Sequence, residues 1–370
     1  MSKLNLCIIS DIHLGHPKNK AIDIIRNLKR ALPNNATTGE LDIIFLAGDV
    51  YDTLLTLPSE DATEIDMWIS FLISICEKHN IILRILEGTP SHDWKQSERF
   101  INIATMMKST IDVKYVKELS IEYIEKFDIN VLYVPDEWQP STEKTLNDVH
   151  ELLKAKGLEK IDYAIMHGAF TFQLAEHIKT HKHNPDAYLK IVDKLIFIGH
   201  IHKYSSYDRI IAQGSFDRLQ HGEEEPKGHI LAYIEDDDYS VIFVENKNAK
   251  IFKTIDCTYL NLDDTIKRID NYINSNDIPN GSFIRILADK DNPILVNMNV
   301  LVIRYPLLMW SKLVNSINED MVIEEKDECD YVPITITNSN IKNLLLNRIT
   351  FSDVNSNIIF VAEKILDEVI

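Results

Sequence analysis

From residue 4 to about residue 245, short β-branched apolar runs alternate with longer amphipathic ones, and this alternation is the strongest constraint on the fold. Leu4–Ser10 reads as a strand, and Lys20–Leu32 as a helix with Ile22, Ile25, Leu28 and Leu32 on one face. Leu41–Ala47 reads as a strand, Asp61–His79 as a helix and Ile81–Leu86 as a strand. Ile129–Val134, Ile161–Met166 and Lys194–Ile198 add strands, with a helix at Glu143–Lys156 between the first two. Strands alternating with helices predict a layered α/β domain. From Tyr204 to about Asn246 the runs turn all strand-like, as a sheet finishing in hairpins would. The character then changes. Residues 246–335 predict a smaller α/β domain of two or three strands and two helices, with Asn280-Gly281 marking a turn. Residues 336–370 read as helical, with one apolar stripe through Ile341, Leu344, Leu345 and Ile349 and a second through Ile358, Val361, Ile365 and Val369.

Five of the predicted strand ends in the first domain carry metal-type ligands. "SDIHLG" supplies Asp11 and His13, and "AGDVYD" supplies Gly48, Asp49 and Asp52. "GTPSHD" supplies His92 and Asp93, "IMHGAF" His167, and "IGHIHK" His200 and His202. Taken alone, each fragment is a strand-end cap, a turn or a packed histidine. Their ordered recurrence at the C-terminal ends of successive strands, where α/β sheets place their sites, groups them. Two divalent cations roughly 4 Å apart can clamp the attacking and leaving oxygens of a phosphoryl transfer, given a bridging carboxylate. Mixed imidazole and carboxylate ligands suit manganese, iron or zinc. Alternation along an extended chain puts Asp11 with His13, and His200 with His202, on one side.

Composition narrows the class. No apolar run is long enough to span a membrane, and the N-terminus lacks the apolar region and cleavage site of a signal peptide. Cys7, Cys76, Cys257 and Cys329 are scattered without a Cys-x-x-Cys pair, which fits a reduced cytoplasmic protein. The net charge of −18 opposes passive binding of phosphate backbones. It does not oppose an enzyme whose site holds cations, because these are then the largest local charges.

The motifs resemble those of the calcineurin-like metallophosphoesterases: Asp-x-His, Gly-Asp, Gly-Asn-His-Asp, a single His, then Gly-His-x-His. The resemblance covers roughly residues 4–245 and implies a β-sandwich flanked by helices, with a dinuclear site. It implies that Asp11, His13, Asp49 and His202 hold one metal, and that Asp49 bridges to a second held also by His167 and His200. It further implies that His92 faces the scissile phosphate and protonates the leaving oxygen. Asp93 is expected to orient that imidazole and favour its charged form. The asparagine of the pattern is absent from "EGTPSHD". Ser91, which directly precedes His92, Thr89, a backbone carbonyl or water remain as replacements for its oxygen.

"DIHLGH", "GDVYDT" with Pro58-Ser59, and "GSFDRLQHGEEEPKG" (Gly214–Gly228) are similar to SbcD-type DNA repair exonucleases. That similarity implies a nuclease with two divalent ions, most simply manganese, a homodimer, a DNA-capping domain at 246–335 and a C-terminal segment at 336–370 docking on an SbcC-type ATPase. A small-molecule phosphodiesterase or phosphatase would use the same metals, and a non-catalytic scaffold for an ATPase is the reading from another class. Gly222–Glu225 is most simply a solvated acidic hairpin tip. The His177, Lys179, His181, Lys182, His183 stretch is most simply a solvated loop. Trp68 and Trp94 read as core or turn packing.

Overall fold

Strand β1 (Lys3–Ile9) is buried at six of its seven positions, so its unbroken apolar run needs cover on both faces. In the computed structural model, which describes residues 3–56, 59–236 and 238–315, β1 is a central strand. The described residues form two compact units: one takes those up to Leu219 with those of Glu225–Ala249, the other Gln220–Glu224 with those from Lys250 to Asn315.

In the first unit, β1 lies parallel to β2 (Ile43–Ala47), which is followed outward by β3 (Ile82–Leu86) and β4 (Val113–Val116), all parallel. A second six-stranded sheet contains β5 (Ser120–Ile124), β6 (Ile129–Val134), β7 (Ile161–His167), β10 (Val192–Gly199), β11 (Ser205–Tyr207) and β12 (Ile210–Ala212). Its order is β11-β12-β10-β7-β6-β5, with β12, β10, β7 and β6 parallel. A short pair, β8 (Ala169–Phe170) with β9 (Lys182–His183), stands apart from both sheets. On its other side, β1 pairs antiparallel with β13 (Gly228–Glu235), which pairs antiparallel with β14 (Asp238–Glu245).

Strand side chains alternate between faces, and the buried clusters follow that alternation. Leu6, Ile8, Phe45, Ile82 and Leu86 of the first sheet pack with Val131, Tyr133, Tyr163 and Phe197 of the second. The opposite face of the first sheet packs on α1 (Ala21–Ala31), α2 (Glu60–His79) and α4 (Glu98–Met107). The outer face of the second packs on α5 (Thr142–Lys156) and α6 (Pro185–Ile191). The expected mixed α/β class holds, with layers in the order α/β/β/α. Between the sheets, Arg84 donates twice to Glu122 on β5 (3.0 and 3.1 Å), so the run Ile81–Leu86 hides a buried ion pair.

The second unit holds a parallel sheet in the order β15 (Phe252–Asp256), β16 (Phe283–Asp289), β17 (Met309–Asn315), with α7 (Leu262–Ser275) and α8 (Asn299–Arg304) between them in sequence. The apolar face of α7 meets Ile284, Ile286 and Trp310 through Ile269. Residues 316–370, including both C-terminal apolar stripes, lie outside the described residues. Within Gly222–Glu225, Glu223 is buried and Glu224 pairs with Lys253, which corrects the expectation of a solvated tip.

Candidate metal centre

Six parallel strands from the two sheets end at one rim. Asp11 and His13 follow β1, Asp49 follows β2, and Thr89 and His92 follow β3. Asp136 follows β6, His167 ends β7, and His200 and His202 follow β10. Asp11, His13, Asp49 and His200 all have positive φ, between 50° and 98°. Backbone held in that region costs about 1–3 kcal/mol per residue and persists where its surroundings over-determine it. Here they do. The Asp11 and His13 amides donate to Gly48 and Asp49 carbonyls, and the His200 amide donates to both Asp11 oxygens at 2.9 and 3.0 Å.

Close approach of the strand ends requires glycine. A Cβ on Gly48 would lie 2.2 Å from His167 Nδ1, and one on Gly199 only 2.6 Å from the Ala47 carbonyl oxygen. Neither position has room for a side chain.

Among the described residues the side chains converge in three groups that could hold a metal: a first, Asp11–His13–His202, a second, Asp49–His167–His200, and His13–Asp52–His92, which shares His13 with the first. Asp49 lies between the first and the second: Oδ2 is 3.8 Å from His13 Nε2, and Oδ1 is 3.2 Å from His167 Nε2. His167 Nδ1 donates to the Ala47 carbonyl at 2.7 Å, which leaves Nε2 as the ring nitrogen that faces that carboxylate. This buried Nε2 has no hydrogen-bond partner among the described residues. In the first group, His13 Nδ1 donates to Asp52 at 3.1 Å, and its Nε2 faces His202 Nε2 at 3.2 Å. Ring nitrogens and carboxylate oxygens brought face to face need a positive charge between them, a proton on the ring or a metal ion. Burial pushes the Asp49 carboxyl up, but the His167 and His13 rings outweigh burial and hold it below the usual range. Burial opposes charge on His167, yet the Asp49 carboxylate raises that ring's pKa well above normal. The imidazole and carboxylate donors fit divalent cations in the first and second groups.

His92 stands beside the first group, its ring centroid 4.9 Å from that of His13. Its Nδ1 donates to the Asp52 carbonyl at 2.7 Å. Asp93, expected to orient His92, does something else. Its carboxylate is fully buried and accepts from the amides of Asp49 (3.1 Å), Tyr51 (2.9 Å) and Gly88 (2.7 Å). Burial, then the Asp49 charge, push its pKa up to about 8 against the pull of those donors. Asp93 therefore pins the β2 and β3 loops together, and Asp52 orients His92.

The Gly-Thr-Pro-Ser segment also departs from a simple turn. Pro90–Asp93 is a one-turn helix, α3, with Pro90 at its first position, where the ring's fixed φ suits a helix start. That geometry exposes Ser91 and turns Thr89 inward. The Thr89 amide and hydroxyl donate to the two Asp49 oxygens at 2.6 and 3.1 Å, so Thr89, not Ser91, reaches the second group. Trp94 is 55% exposed rather than packed, while Trp68 is buried against Phe100. His183 is buried between Phe170 and Tyr188, whereas His177 and His181 are exposed.

Two residues at the site had no assigned role from sequence. Asp52 was visible in "GDVYD", but its two orienting contacts depend on the loop's path. Asp136 lies just beyond β6 in "VPDEW", and the rule that placed the other ligands, a donor just past a parallel strand end, applies to it equally.

No family model matches the chain, and no curated protein matches it. Among solved structures it is similar to the crystal structure of TT1561 of Thermus thermophilus, with 10% identity and a TM-score of 0.40 over 66% of this chain and 100% of that one. A second crystal structure has 11% identity and a TM-score of 0.41 over the same shares.

Proposed function

We propose that this protein is a metal-dependent DNA nuclease that hydrolyses phosphodiesters, the catalytic subunit of an SbcC–SbcD-like repair complex with an ATPase partner. The observation that carries the catalytic part is Asp49, whose two oxygens face histidines of different groups, as a carboxylate serving two cations must. Asp11, His13, His202 and Asp49 would hold one cation, and Asp49, His167 and His200 the other. Bound there, two divalent ions supply charge stabilisation and water activation for phosphoryl transfer. The protein's own groups do the rest. Asp52 holds His13 through its carboxylate and His92 through its carbonyl, keeping both rings in fixed orientation. Burial pushes the Asp52 carboxyl up, and the hydrogen bond with His13 together with the His16, His13 and His92 rings outweighs this and holds it below the usual range. With Nδ1 donating to Asp52, His92 has Nε2 to deliver a proton to the leaving oxygen. The DNA substrate and ATPase partner rest on the motif resemblance alone.

The test is hydrolysis of linear and hairpin DNA with manganese or magnesium, beside a nitrophenyl phosphodiester. Metal-dependent cleavage of DNA supports the reading. Turnover of the small ester alone points to a small-molecule phosphodiesterase, and no turnover of either points to a scaffold. His92→Gln should remove most activity, about 100-fold, the lower end for general acid catalysis, with metal content unchanged by elemental analysis. A wild-type rate in that variant excludes the acid role.

A further inference from the structure

We infer that Asp136 is the oxygen ligand that completes the second cation group, in place of the asparagine missing from "EGTPSHD". The inference rests on the proposed dinuclear centre and adds a residue from a different strand. Asp136 Oδ2 lies 3.6 Å from His200 Nδ1 and 3.3 Å from Thr89 Oγ1, and that hydroxyl is itself 3.3 Å from His200 Nδ1 and 3.1 Å from Asp49 Oδ2. The carboxylate thus stands at the His200 edge of the second group, beside the three donor atoms that gather within 4.8 Å of one another. Its other oxygen lies over Gly168, where an added Cβ would be 3.3 Å away, so the backbone after His167 makes room for it.

Two independent observations say that this group is built for a cation. His167 Nε2 is buried, aimed at Asp49 and without a hydrogen-bond partner among the described residues. The Asp136 side chain is only 13% exposed, and its partners among the described residues are the His200 ring and the Thr89 hydroxyl, with no lysine or arginine. A half-buried carboxylate without a permanent counter-charge is the kind of oxygen donor that a cation completes.

Thr89 is the rival donor, and its contacts make it a steering group. Its amide donates to Asp49 Oδ1, and its one hydroxyl hydrogen has Asp49 Oδ2 at 3.1 Å and Asp136 Oδ2 at 3.3 Å as acceptors, so Thr89 steers the carboxylates beside it. A carboxylate is also the stronger oxygen ligand for a manganese- or magnesium-like ion than a neutral hydroxyl. With Asp136 the centre carries three carboxylates, Asp11, Asp49 and Asp136. The second ion is then held more tightly by charge than an asparagine would hold it.

The experiment is a manganese titration of metal-stripped protein, read as free ion by electron paramagnetic resonance. It uses the wild type, Asp136→Ala, Asp136→Asn, Thr89→Val, His200→Ala and the Asp136→Ala/His200→Ala pair, with circular dichroism to verify folding. We expect two ions in the wild type and a second-site affinity about tenfold or more weaker in Asp136→Ala. The isosteric Asp136→Asn should fall between, and Thr89→Val, which removes one hydrogen bond to Asp49, should weaken the second site less than Asp136→Ala does. The effect of Asp136→Ala should persist in the His200→Ala background. Its disappearance there would show that Asp136 acts only through His200 and would overturn the inference. Unchanged second-site affinity in Asp136→Ala, or a larger loss in Thr89→Val, would overturn it too. A wild type that takes up fewer than two ions removes the dinuclear reading and the inference together.

Discussion

Asp49 shows how much one side chain can be asked to do. Its backbone is held at φ 50°, its amide is bound by Asp93, and each carboxylate oxygen accepts from Thr89 while facing a different histidine. Asp49→Ala should therefore lower bound metal below two per chain and reduce turnover by at least about 100-fold, the upper end for losing an outer-shell partner alone. Elemental analysis of the purified variant checks the first part. Full occupancy would mean that Asp49 is not shared between ions. Residue identity was legible at this scale because Asp-x-His, Gly-Asp and His-x-His stand in order at strand ends. Residue role was not. The adjacency of His92 and Asp93 suggested an orienting pair, but a single helical turn sends the carboxylate into the core and leaves the imidazole at the rim.

Among the elements, the long β-branched runs announced themselves. Ile129–Val134 forms β6 with the expected bounds, and α2 and α5 begin within a residue of expectation, each behind a serine whose side chain caps it. The unread stretch, Glu98–Ile124, is made of short pieces. Its helix α4 has no side-chain cap, and β4 and β5 interleave charge with apolar residues. That charge has a partner. Glu122 of β5 accepts from Arg84 of β3 and from the Tyr133 hydroxyl, joining the two sheets through polar atoms within an otherwise apolar layer. Glu122→Gln removes the two-oxygen partner of Arg84 and leaves the exposed Asp112 carboxylate, 2.9 Å from Nη2, as its counter-ion, so it should cost about 2 kcal/mol, measured by urea unfolding. Burial alone pushes the Glu122 carboxyl up, but Arg84 outweighs it and holds the pKa below normal. The unfolded chain then takes up the proton first. This contribution is present above the ordinary glutamate range near pH 4.3 and is lost as pH falls toward the depressed folded value. The wild type should lose stability more steeply than Glu122→Gln below about pH 4.5; stability curves that fall in parallel for the two would remove the assignment.

On the scale of the whole molecule, the donors that meet at the rim come from two sheets, and without cations they face one another as lone pairs and anions. Metal should therefore stabilise the folded chain. At manganese concentrations about 100 times the dissociation constant, the gain is about 2.7 kcal/mol per site, visible as a raised melting temperature that a chelator reverses. A melting temperature indifferent to both would argue against cation sites of useful affinity. No helix among the described residues is long and apolar enough to cross a membrane. The alternating pattern conveyed the layers, but it could not convey that both sheets present their strand ends at the same rim, since that depends on sheet packing rather than on any local run. The hydrogen bonds from the His200 amide to Asp11 close a loop of 189 residues. During synthesis, Asp11 and His13 emerge early and must wait for β10 before their group is whole. A ribosome-bound chain stopped short of His200 has neither of the groups Asp11–His13–His202 and Asp49–His167–His200 complete, so a cation that needs either group would be taken up late in the making of each molecule, after β10 has joined its sheet.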